Sequence, residues 1–379
     1  MAILAGTASW AEKSLIDSGL FYPPDVKTPE ARLRYYASVF PLVELDSSYY
    51  AIPSQANARR WVERTPPGFT MNVKAFRFLT GHQTETKVLP AGVRDLVANQ
   101  ERILYRTAGQ AVQDAVWDAF LMSLEPLRAA GRLGLVHFQF PPAVVPAPRA
   151  IAHVERCVSM LRPAVVSVEF RHRSWWAGAD RIEETLAWLR RLGAVHTVVD
   201  GPQGADNSVP VVGETTHPEI ALVRLHGRNV TSYNAPAPTA AERFDYDYPD
   251  HELQGLVAES LGLAYKARNV HLIFNNCSRD QGQRNAITAM RMATELAGKG
   301  PDLSSEAASN GMLGRIGGAD LAAAMTYLPP AGASAPEFVD VDMLYEMHGR
   351  VRVTFRQHKS PHHGKSVHVF WTPCFARPL

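Results

Sequence analysis

The chain has 379 residues, of which 46% are apolar and 20% charged, and its formal net charge is +2. This balance fits a soluble globular protein with a substantial core. It excludes a global pull towards nucleic acid or membrane, so such partners would need a local patch.

The three cysteines, Cys157, Cys277 and Cys374, are scattered and form no CxxC pair. That spacing argues for reduced thiols in a cytoplasmic protein, against a disulfide scaffold and against a structural zinc site. No basic segment opens the chain, Met1–Ala5 is too short for a signal core, and no run approaches the ~18 apolar residues of a membrane span. A cytoplasmic protein without a membrane partner is expected.

In chain order, Ala2–Gly6 reads as a first strand, with Ser9 and Trp10 just after it. Thr28-Pro29-Glu30 opens a helix with a cap, a proline at the first position and an acid in the first turn. Pro41–Asp46 is a strand carrying Glu44 and Asp46, followed by Tyr49 and Tyr50; Ser54 caps the next helix, and Phe69–Val73 is a strand ending at Lys74. Thr80–Thr107 is polar and irregular and reads as a long excursion. Ala111–Ala130 is helical, Leu133–Phe140 is a strand, and a helix over about Arg149–Leu161 follows.

Val165–Trp176 then reads V-V-S-V-E-F-R-H-R-S-W-W, a buried-strand pattern that delivers Glu169, Arg171, His172, Arg173, Trp175 and Trp176. Asp180 and Glu183 form a capping-box-like pair at the next helix. Strands at Ala194–Val199, Ala221–Leu225 and Val270–Phe274 end in Asp200, in His226-Gly227-Arg228 and in Asn275-Asn276, with helices over Asp250–Lys266 and Gln283–Ala297.

Eight strands separated mostly by helical patterns, without a Gly-rich phosphate fingerprint after the first, favour a (β/α)8 TIM-like barrel over an open sheet. The barrel is expected over residues 1–300. Residues 301–335 look linker-like, and 336–379 form a small C-terminal extension. There Val351, Val353 and Phe355 alternate, as do Val367, Val369 and Trp371, on either side of Ser360–Gly364. This predicts a basic β-hairpin.

In a barrel the strand C-termini converge on the rim where active sites lie. The groups there suit chemistry on an anion. Lys74, Arg171, Arg224 and Arg228 match the oxygens of a phosphorylated or otherwise anionic ligand. Glu169, His226 and His172 are candidate proton carriers, and Asn275, Asn276 and Gln139 could orient substrate. Trp10, Tyr49 and Trp175 are candidates for stacking on a ring. The same Glu169 and arginines equally describe a buried ion pair that fixes a loop, and the sequence leaves both readings open.

Further alternatives are a non-catalytic module binding an anion or nucleic acid, with the basic hairpin as a second contact, and metal-dependent phosphoester hydrolysis. The metal reading would use a divalent ion held by Glu44, Asp46 and Asp200. No cofactor is required by the sequence, which is silent on oligomeric state.

Several segments together resemble the YecE-like family, a domain of unknown function 72. They are Gly6–Trp10, Val43–Tyr50, Lys74-Ala75, Phe138–Pro142, Val168–His172 with Ser174-Trp175, Val223–Arg228 and Phe274–Asn276. They fall in the family's order over about residues 3–297. The resemblance implies a TIM barrel and no established activity. Two departures stand out: Asp46 replaces an asparagine of the family's stretch, and Gly81 separates Thr80 from His82 where the family is similar to Thr-His.

Overall fold

The computed structural model describes residues 2–97, 100–203, 208–231 and 239–297, with the backbone of 338–345, 349–360 and 368–378. Eight parallel strands close into a barrel: β1 (Ala2–Ala8), β2 (Leu42–Leu45), β3 (Thr70–Lys74), β4 (Leu133–Phe140), β5 (Val166–Phe170), β6 (Val195–Asp200), β7 (Ile220–Leu225) and β8 (Asn269–Phe274). Each pairs with its neighbours in chain order, and β8 pairs with β1 to complete the ring. The principal helices are α1 (Pro29–Val39), α2 (Gln55–Glu63), α3 (Gln110–Ala129), α4 (Pro148–Leu161), α5 (Ala179–Leu192), α6 (Asp250–Ala264) and α7 (Gln281–Ala297). Between β6 and β7 no helix occurs among the described residues. The expected (β/α)8 architecture is therefore present.

Side chains alternate across a strand, so each strand feeds two environments. Val136, Phe138 and Phe140 of β4, Val166, Val168 and Phe170 of β5, and Ala221, Val223 and Leu225 of β7 join the main core with the apolar faces of the helices. Leu42, Leu135, Val195, Ile220, Leu222 and Ile273, with Ala8, form a second apolar cluster contributed by strands alone. They mark the inward phase. Other positions in that phase are polar and buried: Asn72, His137, Ser167 and His271 pair as His271 Nδ1–Asn72 Oδ1 at 3.0 Å and His137 Nδ1–Ser167 Oγ at 2.9 Å.

Local capping follows the sequence at α1 and α2, where Thr28 and Ser54 accept from the amides of Ala31 and Asn57. At α5 the expectation is corrected. Gly178, at φ +86°, is the N-cap, and Asp180 lies in the first turn. There its charge acts on the helix dipole without capping an amide. The excursion after β3 is also more built than its polarity suggests. Thr84–Glu85 pairs antiparallel with Arg102–Ile103, and Leu89, Val93, Val97, Ile103 and Tyr105 are buried in the main core.

C-terminal to the barrel, strands Phe338–Tyr345, Gly349–Ser360 and His368–Pro378 form an antiparallel sheet in chain order. The last two are the pair implied by the alternating pattern, and Phe338–Tyr345 is an additional strand. The linker-like segment 301–335 lies outside the described residues. Among the described residues no helix is long and apolar enough to cross a membrane.

Gly6 pairs with Leu42 in the β1–β2 register, and a Cβ there would stand 1.9 Å from the Leu42 carbonyl oxygen. Backbone cannot retreat as a side chain can. Gly6→Ala is therefore expected to lower stability by about 3 kcal/mol or more. Gly92→Ala, with nothing within 4 Å of the new methyl, should stay within about 1 kcal/mol. Urea midpoints of the two variants provide the comparison.

Candidate functional site

Arg224 shares the inward phase of β7 with Ile220 and Leu222, which carries its guanidinium into the barrel. Nη2 donates to Glu44 Oε1 at 2.7 Å; Nη1 donates to Glu169 Oε2 at 2.7 Å and to Gln139 Oε1 at 3.2 Å. Arg224, Glu44 and Glu169 are all within 1% of full burial. Burial works against the Arg224 cation, but Glu44 and Glu169 outweigh it and hold the group protonated. One side chain thus ties β7 to β2, β4 and β5. The ion-pair reading of Glu169 is realised here, with the partner supplied by another strand.

Glu169 also contacts Arg171 Nε through Oε1, and His137 Nε2 lies 3.3 Å from Oε2. Burial raises its carboxyl, but the charges of Arg171 and Arg224 outweigh that and bring it well below the usual range. A carboxylate held ionised this firmly is poorly matched to exchanging protons near neutral pH. Its geometry is that of a counter-ion which orients Arg171 and Arg224.

His226 lies beside this group, with Nε2 3.3 Å from Arg171 Nη2 and 3.7 Å from Glu169 Oε1. Its Nδ1 is 2.8 Å from the Asn275 side-chain amide. Burial and the Arg171 charge lower the imidazole to about 3 against the opposing pull of Glu169, so the ring is neutral. A guanidinium only donates, so Nε2 accepts from Arg171. With the proton then on Nδ1, the Asn275 amide has to be turned so that Oδ1 faces the ring in place of the Nδ2 that stands 2.8 Å from it.

Towards the rim, Lys74 Nζ binds Asp46 Oδ1 at 2.7 Å and stands 4.8 Å from the centre of the Tyr49 ring. Burial raises the Asp46 carboxyl, but Lys74 reverses the shift and lowers it. Glu169, Arg171, Arg224, His226, Gln139 and Asn275 thus form one contact network, and Lys74 and Tyr49 meet beside Asp46.

The other candidates go elsewhere. Asp200 shares the phase of His196 and Val198, opposite to the inward Thr197. It accepts from Arg228 Nη2 at 2.7 Å and Tyr248 Oη at 2.6 Å, and Glu252 also approaches Arg228 at 3.5 Å. Asn276 donates to Tyr246 O and Asn285 Oδ1, so it orients backbone and not the Arg224 cluster. Trp175 is 2% exposed and stacks on Phe170 at 3.8 Å, with its indole N–H on Val144 O; it is a packing residue. His172 Nδ1 accepts from the Ser174 amide and caps the turn that carries Trp175. Trp10 meets Trp61 edge-on at 6.0 Å.

Two further roles assigned from sequence alone change as well. Arg224 faces protein carboxylates and has no exposed surface for a ligand anion. The divalent-ion grouping of Glu44, Asp46 and Asp200 is not assembled either, because each carboxylate is engaged by a different cation. Among the described residues no three His, Cys, Asp or Glu side chains come together as metal ligands. Glu44 shares the strand phase of Leu42, which places it inward against Arg224.

A closed parallel eight-stranded barrel with its ionisable groups at the C-terminal ends of the strands defines a TIM-barrel protein. The chain belongs to the family described as "Protein of unknown function DUF72", whose profile matches residues 4–309. It is 31% identical over 303 residues to the UPF0759 protein YunF of Bacillus subtilis (strain 168), covering 79% of this chain and 98% of that one. A DUF72 family protein from Thermotoga maritima MSB8 superposes with TM-score 0.60 at 27% identity, over 78% of this chain and 100% of that one. One from Enterococcus faecalis V583 gives TM-score 0.64 at 24% identity, over 77% and 95%, and supports the fold.

Replacing Arg224 by Met would leave Glu44 and Glu169 buried without their shared partner. A loss of about 3–5 kcal/mol is expected. Arg128→Ala, which removes a surface pair with Glu125, should leave stability nearly unchanged. Chemical denaturation measures both. The depressed Glu169 carboxyl also gives stability a sign in pH. Its contribution is complete above the ordinary value of 4.5 and is lost as pH falls below it towards the lower folded value. Glu169→Gln should be less stable at neutral pH and show a flatter acid limb in urea midpoints measured across that range.

Proposed function

We propose that this barrel is a cytoplasmic enzyme whose substrate carries a phosphate or comparable anionic group, bound at the C-terminal rim. The observation that carries this reading is the placement of Arg171. Its Nε is tethered to the buried Glu169, while Nη2 lies against the neutral His226 and its side chain stays 12% exposed. A guanidinium oriented in this way can receive an anion without first being ordered.

Lys74, 10% exposed and fixed by Asp46, supplies a second charge. His226 offers its lone pair on Nε2. An anion on Arg171 would offset the charge that depresses the imidazole and raise it towards the range useful for proton transfer. Arg224, Glu44 and Glu169 form the rigid floor beneath. Phosphoester hydrolysis is the reaction class that uses these groups most directly. The reduced Cys157 and Cys277 support the cytoplasmic assignment.

The test is calorimetric titration of the whole chain with inorganic phosphate, together with turnover of a panel of phosphomonoesters and phosphodiesters. Arg171→Gln should weaken phosphate binding by about 10- to 100-fold, the effect of losing a hydrogen bond to a charged group, and His226→Gln should depress turnover more than binding. Unchanged phosphate affinity in a folded Arg171→Gln variant would remove the basis of the reading.

A further inference from the structure

Resting on that reading, we propose that Arg77 and His82, on the turn after β3, form the seat of the substrate's anionic group against the Tyr49 ring. The first observation is one of charge. Arg224 is met by Glu44 and Glu169, Arg171 by Glu169, and Lys74 by Asp46. Arg77 has no carboxylate within 4 Å among the described residues. Its Nη2 donates only to a backbone carbonyl, that of Gln83, at 2.9 Å. The carboxylate whose charge it feels, Glu85, is paired with Lys87 at 2.6 Å. Among the described residues Arg77 is therefore a cation on the rim without a carboxylate partner.

The second observation is how the turn is built. The Arg77 carbonyl accepts from the His82 amide at 3.0 Å and from Thr80 Oγ1 at 2.9 Å, and Gly81 at φ +83° lets the chain double back. Gly81, an interruption when read as sequence, is what brings Thr80 Oγ1 to 2.7 Å from His82 Nδ1. Because Thr80 spends its proton on the Arg77 carbonyl, Oγ1 accepts from Nδ1–H, and the lone pair of His82 lies on Nε2. Nε2 has no hydrogen-bond partner among the described residues.

The third is convergence on one ring. Arg77 Cζ lies 5.5 Å, Lys74 Nζ 4.8 Å and the His82 ring 5.3 Å from the centre of Tyr49. The Arg77 amide is bound to the Tyr49 carbonyl at 3.0 Å, which fixes the turn to the rim. A phosphate here would take donors from Arg77 and present a P–OH to His82 Nε2, which accepts that hydrogen bond or the proton itself. In the unliganded chain burial, then Arg77, Lys74 and Arg171, lower His82 to about 4. A dianion among those three cations opposes that lowering, so binding should be coupled to proton uptake by His82.

The experiment is a titration of the whole chain with inorganic phosphate, read by calorimetry and by the ring resonances of His82. Arg77→Gln should weaken phosphate binding about tenfold or more, and Arg77→Lys, which keeps the charge, should restore part of it. The titration midpoint of His82 should move upward when phosphate saturates. Thermal melts that match the unaltered protein confirm that the turn is intact in both variants. If Arg171→Gln abolishes binding while Arg77→Gln does not, and the His82 midpoint stays in place, the anion sits deeper: this inference fails and the function above stands. If inorganic phosphate does not bind the unaltered chain at all, both fail.

Discussion

The structure depends on one buried guanidinium. Arg224 is fully enclosed, and its two Nη atoms reach carboxylates on strands from different parts of the ring. Removing three charges from water is costly, and only this geometry, with Gln139 as a further acceptor, recovers the loss. The interior of a barrel could have been filled with aliphatic side chains, as its Leu42–Ile273 cluster is. The charged layer contributes register instead. A strand slipped by one residue would turn Arg224, Glu44 or Glu169 outward against the helices, where no partner waits.

The Glu169 hub also explains why neighbouring groups hold the states they do. A carboxylate kept ionised by Arg171 and Arg224 can orient both, and burial together with the Arg171 charge keeps His226 neutral. Positional order therefore passes from the buried floor to the rim through Glu169 and Arg171. Asp200, Arg228 and Tyr248 form a separate hydrogen-bonded group in the outward phase of β6, where they fasten α6 and its preceding loop. The two networks are chemically alike but differ in strand phase and in burial, since the Arg228 side chain is 37% exposed and that of Arg224 is enclosed.

That difference marks what was legible in the sequence. The strand runs and the helix openings at Thr28 and Ser54 follow from local rules, and the barrel follows from their number and order. The ends of the strands follow from the same rules, but the polar residues there do not all face one rim, because side chains alternate with a period of two. Applied to Val195–Asp200, the period separates Asp200 from Thr197. Applied to Leu42–Leu45, it places Glu44 beside Leu42 and facing inward. Trp175 was unreadable for another reason: its stacking on Phe170 requires the chain to fold back after β5, a tertiary contact without local signature. The partner of Arg224 is likewise set by strand closure across 180 residues of sequence.

Charge matching within the barrel then shifts attention outward. Each cation that is buried must be neutralised, because an unpaired charge in a low-dielectric interior is costlier than the fold can sustain. Positive charge available to a ligand has to remain where solvent still reaches it. Among the described residues Arg77, on the turn following β3, is partly exposed and meets only carbonyl oxygen and the Tyr49 face. Gly81, with its positive φ, and Thr80, with its hydroxyl on the Arg77 carbonyl and beside His82, are the residues that shape this turn. The turn thus sets the geometry of the rim, while the charged core beneath it supplies the rigid base on which that geometry rests.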